Sequence, residues 1–537
     1  MRTPCDEIVA QSTTAIVPCT KQARTWVLAA TILGSSMAFI DSTVVNVALP
    51  ALQTSFHATV VDLQWVVESY GTLLAALILV GGSFGDRFGR RLMFVTGVLI
   101  FALASAGCGL ASNIHLLILA RSLQGVGAAL LVPGSLAIIS TSFDQKSRGT
   151  AIGTWSGFTS MTTAIGPVLG GWLVEHASWR WVFFLNVPIA AAVVAISLWR
   201  IPESRSADSG PIDWPGAVLS TLGLGGLVIG FIESLNLGWK SPLVFGSLIL
   251  GVGCLVGFVV VENGSASPTF PLTLLKSRSF TGANLLTLFL YAAIGIFFFL
   301  LPLNLIQVQE YSAAATGAAV LPLILLLFVL SRWSGGLVAR FGSRAPLIVG
   351  PLIVGLGFAL FAVPSIGGNY WREFFPAIIV LGFGMAVTVA PLTTVVMDSV
   401  NQDRVGTASG VNNAVARVAS VLAIAILGIV MVRTFASQLN SSLAHLMLPA
   451  GALSDLQTNA NKLAGLQVPA GLSPNIKADI DVSIRQAFVF GFRVIMLICA
   501  GLSLGSAATA WFLIPRDRDR PKLSATLLGD EGAPRKR

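Results

Sequence analysis

With 54% hydrophobic residues, 11% charged residues and a mean hydropathy of +0.81 over 537 residues, this chain is built for lipid, since a soluble domain carries about 25% charged residues. Its formal charge of +9 does not indicate nucleic-acid binding, because the basic residues lie in short connections between apolar stretches, where they set topology. The five cysteines show neither CxxC nor His-interleaved spacing, so neither a disulfide framework nor a metal site is expected.

Residues 1–25 are polar, with no apolar core or small-residue cleavage site, so the first span is expected to insert uncleaved. Apolar stretches close to the roughly 20 residues that cross a bilayer then recur at 26–50, 63–85, 93–111, 114–140, 150–173, 180–199, 214–235, 242–262, 280–306, 315–338, 346–364, 374–397, 406–432 and 487–514. The expected fold is an all-α integral membrane protein of about fourteen spans. An even number puts both termini on one side. With that side cytoplasmic, the short inner loops hold thirteen basic residues: Arg87, Arg90, Arg91, Lys146, Arg148, Arg200, Arg205, Lys276, Arg278, Arg332, Arg340, Arg344 and Arg404. The short outer loops hold three, Arg180, Lys240 and Arg372, which fits the positive-inside rule.

The first span holds an acid inside an apolar run, "FIDSTVVNVALP". At 1.5 Å per residue, Asp41 lies roughly 14 Å below the outer end, Arg121 of the fourth span roughly 10 Å and Glu68 of the second roughly 8 Å. Asp41 and Arg121 can therefore meet. Ionisable groups at such depth usually face a cavity and pair with one another, although a purely structural ion pair, with Glu68 interfacial, is the alternative. After the second span, "GGSFGDRFGRR" combines Gly82, Gly85 and Gly89 with Asp86, Arg87, Arg90 and Arg91, which suits a cytoplasmic latch or a set of topogenic anchors. The loop is echoed by "VARFGSR", which keeps Arg340 and Arg344 but has Ala339 where Asp86 stands. Such internal repetition is a transporter signature. Two six-span bundles, 26–199 and 280–514, are thus separated by an inserted pair at 200–279. A connection at 433–486 lies outside, its end "IDVSIRQAF" suited to a short helix, and a basic tail covers 515–537.

Around Arg121, Gln124 adds one polar group to a small-residue face, and Gly166, Pro167, Gly170 and Gly171 in the fifth span permit close packing and a bend. In the thirteenth span Ser409, Asn413, Arg417 and Ser420 share a stripe. That stripe faces either a central cavity or a packed hydrogen-bond network. Asn46, Gln124, Asn413, Arg417, Asn304 and Gln307 are the candidate cavity lining, and "FFFL" at 297–300 lines that cavity or faces lipid.

Several of these motifs carry a resemblance. "GGSFGDRFGRR", "IDSTVVNVALP", "LARSLQGVGAALLVPG", "GPVLGGWL" and "WRWVFFLNVP" together resemble the fourteen-span drug:proton antiporter branch, EmrB/QacA-type, of the major facilitator superfamily. The resemblance implies the major facilitator fold and export of lipophilic or cationic compounds in exchange for protons. It assigns proton coupling to Asp41 and Arg121, and an exporter hinge to Gly166, Pro167, Gly170 and Gly171. Thr162 departs from that hinge motif, where a glycine is frequent, and Glu68 rests on depth alone. A proton entering down about 100 mV supplies about 2.3 kcal/mol, enough for very roughly a 50-fold gradient of a neutral substrate. No cofactor is expected, and no GxxxxGK[ST] loop for ATP appears. The expected partners are a small lipophilic substrate, protons and membrane lipid, with no nucleic acid; a periplasmic adaptor is left open. Alternatives are export of an endogenous lipid, siderophore or metabolite, import, or a transport-dead sensor or scaffold. An inner-membrane location with both termini cytoplasmic is expected, and no enzymatic activity.

Overall fold

The computed structural model describes residues 21–515, except 144, 206–212, 266, 267, 269, 401–404, 447 and 470. Residues 1–20 and 516–537, Arg404, and the side chains of Lys146, Arg148 and Arg332, all invoked above, lie outside the described residues.

Helices stand at all fourteen expected positions. They are α1 (Lys21–Phe56), α2 (Val60–Phe88), α3 (Arg90–Leu110), α4 (Ile114–Ser142), α5 (Gln145–His176), α6 (Trp181–Arg200), α7 (Trp214–Leu237), α8 (Pro242–Gly264), α9 (Arg278–Leu303), α10 (Ala313–Gly335), α11 (Arg344–Phe361), α12 (Phe375–Asp398), α13 (Val405–Leu443) and α14 (Pro474–Leu513). Among the described residues twelve are long and apolar enough to cross a membrane. Counting α2, which bends by 53° between Ile78 and Val80, makes thirteen. The remaining helix, α5, is rich in glycine, serine and threonine and is the least apolar of the set, so the fourteen expected spans become twelve or thirteen by length and composition.

Starts are fixed by side chains that satisfy the free N–H groups of the first turn. Thr59 and Asp62 form a reciprocal capping box on α2, and Asn113, Asp213, Ser277 and Ser312 cap α4, α7, α9 and α10. The connection after α13 is shorter than the hydropathy suggests. α13 runs to Leu443, α14 begins at Pro474, and "IDVSIRQAF" is the first part of α14 rather than a separate helix. The polar ends of these two helices project beyond their apolar middles, which is why hydropathy alone truncates them. Between them lie a short helix, Ala450–Thr458, and a 3-10 turn, Ala460–Gly465.

α1–α6 form one half and α9–α14 the other. Within the first half α4 packs on α2 and α3, and α1 on α5. Within the second, α9 packs on α13 and α14, and α11 on α12 and α14. The halves meet along two seams, α5 against α10 and α2 against α13, and α7 leans on both α2 and α13. α8 is outermost, exposing Leu243, Phe245, Ile249, Val252, Val256 and Val259. Such a face suits lipid. One buried cluster fills the first half, around Phe94, Phe101, Leu131 and Trp155, and a larger one crosses into the second, around Phe297, Phe358, Phe361 and Phe488. Phe297 and Phe299 are therefore core residues, lining neither cavity nor lipid.

Candidate functional site

Asp41 and Arg121 are fully buried, 0% and 1% exposed, and form an ion pair, Arg121 Nη1 donating to Asp41 Oδ2. Arg121 is over-supplied with partners. Nη1 also donates to Gln124 Oε1 at 2.7 Å, Nε donates to the Val66 carbonyl at 3.1 Å, and the guanidinium carbon lies 4.4 Å from the centre of the Tyr70 ring. Asp41 Oδ1 accepts from Gln124 Nε2 at 2.8 Å and from Asn186 Nδ2 at 3.3 Å. Both amides also donate to Ser105 Oγ, at 3.3 and 3.0 Å, and that hydroxyl donates to the Phe183 carbonyl at 2.8 Å. Five of the six helices of the first half thus meet in one network, with α4 and α6 touching the Asp41 carboxylate itself and α2 and α3 supporting its partners.

Local sequence makes that convergence possible. A Cβ on Gly125 would lie 2.5 Å from the Tyr70 carbonyl oxygen, and one on Gly127 would lie 2.6 Å from the Phe101 nitrogen. These two residues let α4 close on α2 and α3, and so place Arg121 over Tyr70 and beside Val66. Charged groups so far from water are tolerated when paired and hydrogen-bonded. Gln124, expected among the cavity lining, is instead part of this network and fully buried.

Glu68 is also 0% exposed, but among the described residues neither carboxylate oxygen has a hydrogen-bond partner. Helical spacing places it between Trp65, which donates to Glu233 of α7 at 2.7 Å, and Gln64, which donates to the Ile424 carbonyl of α13 at 2.9 Å. It therefore faces the α2, α7, α13 seam, not the Asp41 network. Such a site accommodates a neutral acid but not a bare carboxylate.

In the second half, Arg417 is half-buried on α13 and Asn413, one turn nearer the end that carries the termini, is exposed. Tyr70 of α2 and Tyr291 of α9 are the electrostatic neighbours of Arg417, and the next turn of α13 touches α2 at Gly71 through Val421. Asn46 is half-buried and, among the described residues, donates to the Ser42 carbonyl of its own helix, at 3.3 Å. Asn304 and Gln307 lie elsewhere, in the wide turn Asn304–Val308 at the end opposite the termini. Asn304 is 2% exposed with its carbonyl oxygen unpartnered. Gln307 donates to Gln53 Oε1 at 2.7 Å, beside a small cleft of about 50 Å³ also lined by His57 and Lys462.

At that same far end the halves are locked together. A Cβ on Gly171 would lie 2.2 Å from the Ala313 carbonyl oxygen, and one on Gly317 would lie 2.1 Å from that of Pro167. Glu175 Oε2 accepts from the Ala314 N–H at 3.1 Å. Glu175, beyond the apolar part of α5, is held below the ordinary carboxylate range by the Ser312 hydroxyl first and by that N–H second. Gly166 and Gly170, by contrast, pack on Thr43 and Val44 of α1. The candidate hinge is therefore a contact surface with two different partners. At the end carrying the termini, Gly153 of α5 and Gly335 of α10 have open space beside them.

Among the described residues, the hydrogen bonds and ion pairs of the "GDRFGRR" side chains and backbone, apart from the helical bonds of α2 and α3 themselves, stay within the segment or reach residues 201–204 after α6. Asp86 pairs with Arg90 at 2.6 Å, one turn on, and Arg87 is exposed. Glu203, beyond α6, accepts from the N–H groups of Arg91 and Leu92 at 3.0 and 3.1 Å and so caps α3. Gly89 has φ +122°, and a Cβ there would meet the Glu203 carboxylate at 2.7 Å, so conformation and crowding both demand glycine. Gly82 and Gly85 are more loosely surrounded. In the echo, Arg344 lies over the Trp511 ring at 4.8 Å and Arg340 is exposed near Phe341.

Asn186, Ser105, Tyr70, Tyr291 and Glu203 are absent from the expected site residues. Asn186 stands inside the quoted "WRWVFFLNVP", the one signal available; the others have none.

Residues 31–424 match the family model for the Major Facilitator Superfamily. The chain is 33% identical to the multidrug resistance protein Stp of Mycobacterium tuberculosis, over 91% of this chain and 92% of that one. It is 31% identical to the tetracenomycin C resistance and export protein of Streptomyces glaucescens, over 91% of each. Among solved structures, a bacterial homologue of the human lysosomal transporter Spinster, in an inward-facing and unoccupied conformation, aligns with a TM-score of 0.62 at 18% identity, covering 92% of this chain and 98% of that one. Sequence, helix arrangement and these likenesses agree: the chain belongs to the Major Facilitator Superfamily.

Proposed function

We propose that the chain exports lipophilic compounds across the cell membrane in exchange for protons, by alternating access between its two halves, as a member of the drug:proton antiporter branch. The buried Asp41–Arg121 pair carries this reading. Protonation of Asp41 removes its charge, yet Arg121 keeps Gln124 Oε1, the Val66 carbonyl and the Tyr70 face, so the cation is not stranded. When the proton leaves, the pair reforms. A carboxyl that can load and release a proton without unfolding its surroundings is what coupled exchange requires. Glu68, buried and unpartnered, is a second proton carrier beside the moving seam.

Drug export is supported by the resistance functions in the names of the relatives. A cytoplasmic position for both termini, in the inner membrane, is supported by the excess of basic residues in the short loops on that side. The proton gradient is the energy source, with no cofactor and no enzymatic step, and the partners are a small lipophilic substrate, protons and membrane lipid. The test uses purified full-length protein in proteoliposomes with an imposed pH gradient and a fluorescent lipophilic dye. Wild-type protein should move dye against protons, and Asp41→Asn should abolish that exchange. Undiminished exchange by Asp41→Asn would remove the assignment.

A further inference from the structure

We propose that Arg417 is an anion-recognising group between the two halves, and that the preferred cargo is an amphipathic anion: an apolar body carrying one carboxylate, sulfonate or phosphate. This assignment rests on the export reading and narrows it.

Arg121 is matched by Asp41. Glu68 is turned into the seam with α7, and among the described residues it makes no ion pair. Arg417 has no hydrogen bond or ion pair within the described residues, although most of its surface is enclosed. Its electrostatic neighbours are two tyrosines, Tyr70 and Tyr291, not acids. Tyr70 also lies beneath Arg121, and one turn beyond Arg417 the side chain of Val421 touches α2 at Gly71, next in sequence to that tyrosine. A guanidinium held between helices without a counter-charge gives up hydration and receives nothing for it in this state. An incoming anion would supply the missing partner, and the planar fork of arginine fits carboxylate and phosphate oxygens two at a time. A cationic compound would meet like charge at the same place. The exposed Asn413 one turn away marks the direction of approach, from the end carrying the termini, while the far end is closed by Gly171 and Gly317.

Binding to the purified full chain in nanodiscs tests this through three probes of one shape: 2-naphthylacetate, 2-naphthylacetamide and (2-naphthylmethyl)trimethylammonium. The acetate should bind about tenfold or more tighter than the amide, and the ammonium should bind weakest. Arg417→Gln should bring acetate and amide to near equality, whereas Arg417→Lys, which keeps the charge and guards against a folding defect, should retain part of the preference. Equal binding of acetate and amide by wild type, or a preference that survives in Arg417→Gln, overturns the assignment. Lysophosphatidylglycerol and lysophosphatidylcholine, added as competitors, separate the sources. Displacement of naphthylacetate by the anionic lipid alone identifies a lipid headgroup, and displacement by neither identifies a drug-like acid; either result supports an anion site, and equal displacement by both overturns it. Binding needs no transport, so an anion preference without pH-driven dye movement would remove the export reading and leave this one. Dye movement without preference would do the reverse.

Discussion

Position 41 can lose its charge more safely than it can lose its polarity. Asparagine still offers Arg121 an oxygen acceptor, and Gln124 Oε1 and the Val66 carbonyl remain in place. Asp41→Asn should therefore fold with a melting temperature close to wild type while losing exchange. Asp41→Leu leaves a buried guanidinium facing carbon, and removing one partner of a buried pair costs about 3–5 kcal/mol. That variant should show a clear drop in thermal stability in detergent, and a melt as high as that of Asp41→Asn would contradict the role given to the neutral acceptors. Much of this site was legible in the residues. Depth along two antiparallel spans brings Asp41 to Arg121, because rise per residue is fixed and both span ends are marked. Ser105 and Tyr70 were not, since a serine or a tyrosine in an apolar run carries no sign of what it faces until the helices are packed. Gln124 misled for a related reason: its polarity was visible, but the same polarity serves a network as well as a cavity.

Between elements, the decisive contacts are backbone against glycine. Valine at position 171 or 317 cannot fit 2.2 or 2.1 Å from a carbonyl oxygen, so Gly171→Val and Gly317→Val should hold α5 and α10 apart at the far end. The measurement is labelling of Thr316→Cys, a position with 0% exposure, by a membrane-impermeant maleimide. Labelling should be slow in the parent and rapid with either valine. Glu175 gives the same contact a pH dependence. Because closure lowers its carboxyl below the ordinary 4.5, its contribution is complete above that pH and declines as pH falls through the lowered value. The distance between spin labels at the far ends of α5 and α10 should stay constant down to pH 4.5 and lengthen below it, and Glu175→Gln should flatten that profile. The GPVLGGWL stretch announced close packing in the sequence, but not that Gly171 faces the opposite half while Gly166 and Gly170 face α1. Glu203 escaped notice because it lies in a stretch read as a linker, although it caps α3 and crowds Gly89.

At the scale of the whole molecule, hydropathy located every helix because lipid-facing and core-facing residues are alike apolar in a membrane protein. It fell short at the ends of α13 and α14, which continue as helices beyond the apolar span, and in the connection between them, where the short helix Ala450–Thr458 stands. The orientation drawn from the arginines leads to a direct expectation. In a protein freed of its natural cysteines, Lys240→Cys, in the turn between α7 and α8, should react with impermeant maleimide in intact cells. Arg205→Cys should react only after permeabilisation. The reverse pattern would invert the molecule.

The placement of α7 also decides where a compound dissolved in the bilayer can enter. The cleft between α2 and α13 is roofed by α7, through the Trp65–Glu233 hydrogen bond and a shared apolar cluster of Val61, Ala75, Leu224, Val228, Ile232, Val421 and Ala425. The seam between α5 and α10 is shut at its far end by the contacts of Gly171 and Gly317, and at the other end Gly153 and Gly335 are exposed, with no described side chain packed beside them. The flank that α7 leaves uncovered is therefore the one on which a lateral doorway would open, toward the leaflet on the side of the termini. A molecule that has already partitioned among the acyl chains can be collected there without first returning to water.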